Sequence, residues 1–395
     1  MELALSTSLV HPCYGRVSDP ILALFANGEQ GAYYDPSDSS TVFQDSQGKT
    51  PALADDPVGL VLDKRKGLEL GPELVTNGTF DADTGGWSPR NAVLSSVDGQ
   101  LVVESTSVSG RAIQSFATVV GKWYRASVTV VGGTGFKLVR LGTSDGNPIY
   151  LNTQGEVGTK SVIFLATTTT TYWSLYSGDT VGLTGIFDNA TVRELPGNHA
   201  TQSMAAARPI RRTDGTHWWL EFDGVDDAMA TFAIDFTATD KVSTGLAIRT
   251  LTSSPGVLLE ISPNTGANFG AFYVAQNDGA PYTSASHGTG AFGGANVARV
   301  FGDAAINTTN VVTSQHDLGA NLTTIRKNAV GGTTVTTALG GNFGNYALNF
   351  GARNGGATFM SKALIYRAFV RGALTQSADL TAIETELAAA AGIAL

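Results

Sequence analysis

Residues Lys122–Gly133 read KWYRASVTVVGG. Tyr124, Ala126, Val128 and Val130 fall on one side of this run, and Arg125, Ser127 and Thr129 on the other. A period of two is the signature of a half-buried strand. Working outward, FKLVRLGTSDGNP (Phe136–Pro148) ends in a Ser-Asp-Gly turn. SVIFLATTTTTYWSLYSG (Ser161–Gly178) supplies two more strands rich in β-branched and aromatic residues, and GIFDNATVREL (Gly185–Leu195) a last one. Short strands, regular turns and no helical period predict a β-sandwich or jelly roll over residues 71–197.

The composition extends this to the whole chain. With 395 residues, two to three domains are expected. There are 47 glycines, Thr is abundant, and only 15% of residues are charged, against roughly 25% in an average globular chain. This is a mostly β composition with many turns. The net charge of −9 excludes the basic footprint of a nucleic-acid binder. Cys13 is the only cysteine, so neither an internal disulfide nor a thiolate metal site is expected. The first twenty residues carry no basic n-region or apolar core, which reads as no signal peptide, and no apolar run reaches the length of a membrane span. The sequons at Asn77, Asn189, Asn307 and Asn321 are then read as turn residues.

Residues 1–70 are broken by Pro12, Pro20, Pro36, Pro51 and Pro57. They predict an irregular, turn-rich arm without its own core. After PGNHATQSMAAARP (Pro196–Pro209), a small-residue linker, a second β unit fills residues 198–395, with runs such as HWWLEFDGVDDAM, STGLAIRT and SKALIYRAFV. The period then changes. Leu380, Ile383, Leu387 and Ala391 fall at helical spacing, with Thr375 or Ser377 as N-cap and Gly392 as stop. The fold class expected is two antiparallel β-sandwiches after an arm, closed by a short C-terminal helix.

Three stretches resemble known families. NGTFDADTGGWS (Asn77–Ser88) with IFDNATVREL (Ile186–Leu195) resembles the first and last strands of carbohydrate-binding-module jelly rolls. WWLEFDGVDDAM (Trp218–Met229), with the strand and helix at the C-terminus, resembles the concanavalin-A/laminin-G sandwich. Gly28, Gly31, Tyr33 to Asp38, Phe43 to Asp45, Thr50-Pro51 and Gly59 to Lys64 resemble a segment at the head of tailed-bacteriophage virion proteins. That resemblance implies that residues 1–70 attach the protein to a particle through Tyr33, Tyr34, Asp35, Pro36, Asp38 and Phe43.

The chemistry is sparse. Asp35-Pro36-Ser37-Asp38 reads as a turn in preference to a catalytic carboxylate pair, because Asp accepts backbone amides there and Pro fixes φ. Asp223, Asp226 and Asp227 suit a hairpin turn in preference to a calcium site. If GIFDNATVREL is a regular strand, Asp188 shares a face with Ile186, Ala190 and Val192, and a carboxylate on an apolar face needs a partner. In the resembled jelly rolls the corresponding acids, here Asp81 and Asp188, hold a structural calcium, the alternative being a carboxylate satisfied by backbone amides. No His pair, nucleophile elbow, P-loop or dinucleotide motif is present. Trp218 and Trp219 point to opposite faces of one strand. Phe269, Tyr282, Phe343 and Tyr346, in Gly- and Asn-rich loops, are candidate sugar contacts, packing against a neighbouring subunit being the alternative.

These readings converge on a non-enzymatic structural protein of a tailed-phage virion, a fibre, head decoration or tail-associated protein. The expectation is a protein made in the host cytoplasm that requires no cofactor, a structural calcium at Asp81 and Asp188 being the open alternative, and that forms a homotrimer among other virion proteins. Its sandwich loops face host-surface glycan. The alternative, a polysaccharide depolymerase, calls for a parallel β-helix with a carboxylate cluster.

Overall fold

The computed structural model describes residues 19–265, 268–276, 286–293, 296–303, 306–331, 334–337, 339–353 and 356–395. The strand pairings among them are antiparallel, unlike the parallel β-helix that the depolymerase alternative requires. The expected mostly β, sandwich-like architecture is what the chain adopts.

Two five-stranded sheets make the jelly-roll unit. One runs Leu151–Thr153, Leu138–Gly142, Thr170–Gly178, Gly110–Ala117 and Ser88–Arg90. The other runs Gly158–Leu165, Trp123–Gly132, Thr184–Glu194, Gln100–Ser105 and Ala92–Val97. Tyr124, Ala126, Val128 and Val130 point into the shared core, with Phe80, Phe164, Trp173 and Phe187 fully buried around them. All four sequon asparagines have left-handed backbones, with φ between 50° and 61°, as turn residues do.

The larger sandwich pairs an eight-stranded sheet with a nine-stranded one. Here the arm reading of residues 1–70 is overturned for the described part. Gly31–Tyr34 forms a strand against Lys362–Arg371, with Gly31 opposite Arg371 and Tyr34 opposite Ala368. Trp218–Asp223 pairs with the earlier half of the same edge. Val42–Phe43 and Leu60–Val61 extend the opposite sheet beside Ala200–Thr201. Ala32, Tyr34, Val42, Ala52, Val58 and Val61 lie in the core between the sheets. The prolines keep these strands to two to four residues without preventing the residues between them from pairing.

The stretch Pro196–Pro209 is tied down as well. Asp63 is fully buried and accepts the amides of Tyr33 (2.9 Å), Arg65 (2.9 Å) and Asn198 (2.8 Å), together with Arg65 Nε at 3.0 Å. The Asp63 amide donates to His199 Nδ1 at 3.0 Å. One carboxylate thus joins the first strand of the sandwich to the segment leaving the jelly roll. Phe43, Leu60 and Leu62 pack against Trp123, Ile163 and Leu195 of the jelly roll in a small separate core.

The C-terminal helix spans Ser377–Ala390 and ends at Gly392, φ +68°. Its N-cap is Gln376, without a side-chain cap bond. The expected cap Thr375 instead holds Ser243 Oγ at 2.9 Å. Ile383, Leu387, Ala388 and Ala391 cover Ile21, Phe25 and Tyr33.

Candidate ligand-binding face of the jelly roll

The outer face of the sheet containing Trp123–Gly132 is built by the alternation that set its inner face. The pairing places Ile163, Arg125 and Arg193 in one cross-strand row. The next row is Ser161, Ser127 and Thr191, and the one after it Thr159, Thr129 and Asp188. Ser127 Oγ lies 2.9 Å from Thr191 Oγ1, and Thr129 Oγ1 lies 3.1 Å from Thr159 Oγ1. These cross-strand hydroxyl pairs stiffen the face while leaving each oxygen further hydrogen-bonding capacity.

One end of the face is walled. The loop after Val42–Phe43 lies over Ile163, whose amide donates to the Gln47 carbonyl at 3.0 Å. Gly48, at φ +60°, sits so close that a Cβ there would lie 2.8 Å from Ile163 Cβ. Phe43, Gly48, Arg125, Ser127, Thr159, Ser161 and Ile163 line a groove of about 320 Å³.

Arg125 is the charged group of this groove. Burial alone lowers its pKa. The other described cations of the unit have partners. Arg90 and Arg111 bind Asp145, Lys122 binds Glu194, Lys160 binds Glu156 and Arg193 binds Glu73. Lys137 and Arg140 donate to carbonyl oxygens. Arg125 has neither a carboxylate nor a hydrogen-bond acceptor among the described residues. The alternating pattern placed Arg125, Ser127 and Thr129 on one face, but nothing in the sequence marked Arg125 as unpaired or brought Ser161, Thr191 and Phe43 beside it.

The sequence-derived candidates fare differently. Asp188 is not on an apolar face. A β-bulge between Asp188 and Thr191, with Asn189 at φ +51°, switches the parity. Phe187, Ala190 and Val192 face the core, while Asp188 faces outward opposite Thr129. Asp81 is exposed and accepts Thr79 Oγ1 at 2.7 Å. The buried-charge argument for a cation held by Asp81 and Asp188 is therefore lost. Among the described residues, the metal-type side chains that gather three together are Asp223, Asp226 and Asp227. They make the expected turn, with Asp223 Oδ1 accepting the Val225 amide at 2.7 Å.

The residues expected to attach to a virion are mostly inside the sandwich. Tyr33, Tyr34, Asp35, Pro36 and Phe43 are buried, and Asp38 is partly so. Asp35 accepts Lys64 Nζ at 3.0 Å, Arg367 Nη2 at 3.1 Å and the Ser37 amide at 3.1 Å. Burial pushes its carboxyl upward, but Arg367 and Lys64 outweigh this and hold it below the usual range. Pro36 gives its carbonyl to the buried Arg211, which lies 4.0 Å over the Trp218 ring. Trp219 packs on Tyr366 beneath the helix. The segment from Tyr33 to Phe43 is thus held by internal contacts, a short strand followed by Asp-headed turns locked by charge.

Of the four loop aromatics, Phe343 is buried in the core and Phe269 is exposed. Tyr346 packs against the core and donates its hydroxyl to the Phe269 carbonyl at 2.9 Å. Tyr282 lies outside the described residues. The structure brings Phe269 and Tyr346 together and removes Phe343 from any binding surface.

No family model matches the chain, and no curated protein does. Among solved structures, the chain is similar to the Ruminococcus gnavus IT-sialidase CBM40 bound to α2,3-sialyllactose, at 14% identity and TM-score 0.31, over 37% of this chain and 83% of that one. It is similar to a CBM4 domain at 15% identity and TM-score 0.25, over 30% of this chain and 99% of that one. It is also similar to a SAP-like pentraxin from Limulus polyphemus, at 9% identity and TM-score 0.33, over 45% and 83%. At such low identities and scores no function transfers from them, and they give no indication of a phage origin.

Proposed function

We propose that the chain is a non-enzymatic surface protein of a tailed-phage particle that holds host-surface glycan on the outer face of its jelly roll. The observation that carries the binding part is the hydroxyl-lined groove around Arg125. A carbohydrate presents donors and acceptors together. Ser127, Thr159 and Ser161 offer both, on strands whose positions are fixed by the sheet, and Phe43 and Ile163 give an apolar wall. A site on strands is preorganised, so little ordering cost falls on binding. The phage part rests on the resemblance of Gly28–Lys64, and homotrimeric assembly on the prevalence of symmetric oligomers.

The binding test is Ser161→Trp, which fills the groove without touching the core. The purified variant should keep its melting temperature and lose binding to host cells. Undiminished binding rejects the groove. Mass spectrometry of purified particles tests the phage part, which fails if the chain is absent from them. Light scattering should return three times 41.0 kDa, and a monomer mass rejects the trimer.

A further inference from the structure

We infer that the jelly-roll groove selects an acidic glycan, one whose oxyanion is taken by Arg125. This rests on the glycan-binding reading of the groove and narrows it to a ligand class. The first ground is the partner census: of the described cations in this unit, Arg125 alone lacks an acceptor. A guanidinium presents a planar fork of donors matched to a carboxylate or phosphate, and it stays charged throughout the accessible pH range.

The second ground is where this cation sits. It is half-buried, and burial without compensation weakens its hold on the proton. The fold therefore bears part of the desolvation cost of Arg125 before any ligand arrives. An anion entering the groove recovers that cost, whereas a neutral sugar leaves it standing.

The third ground is the surrounding charge. Across the strands Arg125 faces Ile163 on one side and Arg193 on the other. Arg193 is spoken for by Glu73 at 3.0 Å. The carboxylate of this face, Asp188, is opposite Thr129, four residues along the strand from Arg125. At about 3.3 Å per residue that is roughly 13 Å, too far to pair with it. The flanking hydroxyls of Ser127 and Ser161 can donate to the remaining oxygens of the same anion or to the sugar ring that carries it. The groove volume of about 320 Å³ is at the small end for ligand pockets, roughly 300–1,000 Å³, and suits one or two sugar units rather than a long chain.

The experiment measures binding of the full chain to matched neutral and acidic glycans: galactan against polygalacturonate, amylose against its C6-oxidised uronate form, and a polyglycerol-phosphate polymer as the phosphate source. An acidic member should bind at least tenfold more tightly than its neutral counterpart, and more weakly as salt rises. Arg125→Gln should abolish that preference, and Arg125→Lys should retain part of it. Because Arg125 makes no internal bond, Arg125→Gln should melt at or above the wild-type temperature, which separates lost binding from lost folding. Binding to the phosphate polymer alone would identify phosphate as the oxyanion. Equal binding of neutral and acidic members, still blocked by Ser161→Trp, overturns the acidic preference and leaves the groove standing. Binding that is indifferent to Ser161→Trp overturns both.

Discussion

Three histidines are sealed inside this protein, and each works against the fold in acid. Burial holds His199 and His316 at about 3 and His287 at about 4, all below the ordinary value near 6.5. The folded state keeps them neutral while the unfolded chain takes up protons. Their contribution is therefore fully present above about pH 6.5 and is lost as pH falls from there toward the folded values. Three buried carboxyls have the opposite sign: burial raises Asp227 to about 6 and also raises Asp63 and Glu260, so the folded state binds their protons first. Replacing one of the three histidines by an apolar residue should therefore make the melting temperature less sensitive to acid between pH 7 and pH 5. His287 isolates the effect: neither of its ring nitrogens has a partner among the described residues. His287→Leu removes a buried unsatisfied polar group, which should raise stability by about 1 kcal/mol at neutral pH. It should also lower proton uptake on unfolding at pH 5 by about one. Calorimetry across pH measures both, and an unchanged pH slope contradicts the assignment.

At the scale of elements, what the sequence made legible followed from period and length. Trp123–Gly132 and Ser377–Ala390 are long enough for alternation or helical spacing to show. Gly31–Tyr34, Val42–Phe43 and Leu60–Val61 are too short for any period; the first pairs with the far C-terminal Lys362–Arg371, and the last pairs with Ala200–Thr201 across the whole inserted jelly roll. Asp188 failed for a related reason. One extra residue in a bulge reverses every facing beyond it, and the sequence does not announce the bulge. The candidate face was half legible, since its central strand was correctly divided while its walls come from other strands. Asp63 shows how the short pieces are held. Removing one member of a buried ion pair typically costs about 3–5 kcal/mol. Asp63→Ala should fall in that range, because it orphans the Tyr33 and Asn198 amides as well as Arg65. Denaturant melts of the full chain check this, and a loss under about 1 kcal/mol would show that the two segments hold without it.

On the scale of the whole molecule, the chain enters the large sandwich, leaves it for the jelly roll, and returns to finish it. The early segment supplies Ala32, Tyr34, Val42 and Val61 to the same core as Leu220, Leu246 and Phe350. Deleting residues 1–67 therefore strips strands from both sheets and opens that core, and the product should be insoluble or molten. The jelly roll carries its own core of Phe80, Trp87, Tyr124, Phe164 and Trp173, and its ends meet where the Gly71 amide donates to the Glu194 carbonyl at 2.8 Å. A 71–195 fragment should therefore fold and melt cooperatively. It would do so with Trp123 and Ile163 uncovered, because Phe43, Leu60 and Leu62 stay behind. Its melting temperature should consequently lie below that of the same unit in the full chain. Trp123→Thr should narrow the gap by removing the exposed apolar patch and the association it causes. The fragment also retains Arg125, Ser127, Thr159 and Ser161 but loses the Phe43 and Gly48 wall. It should bind the same glycan several-fold more weakly than the full chain does. Equal affinity would mean that the wall is not part of the site, and an unfolded fragment would mean that the jelly roll depends on the sandwich around it.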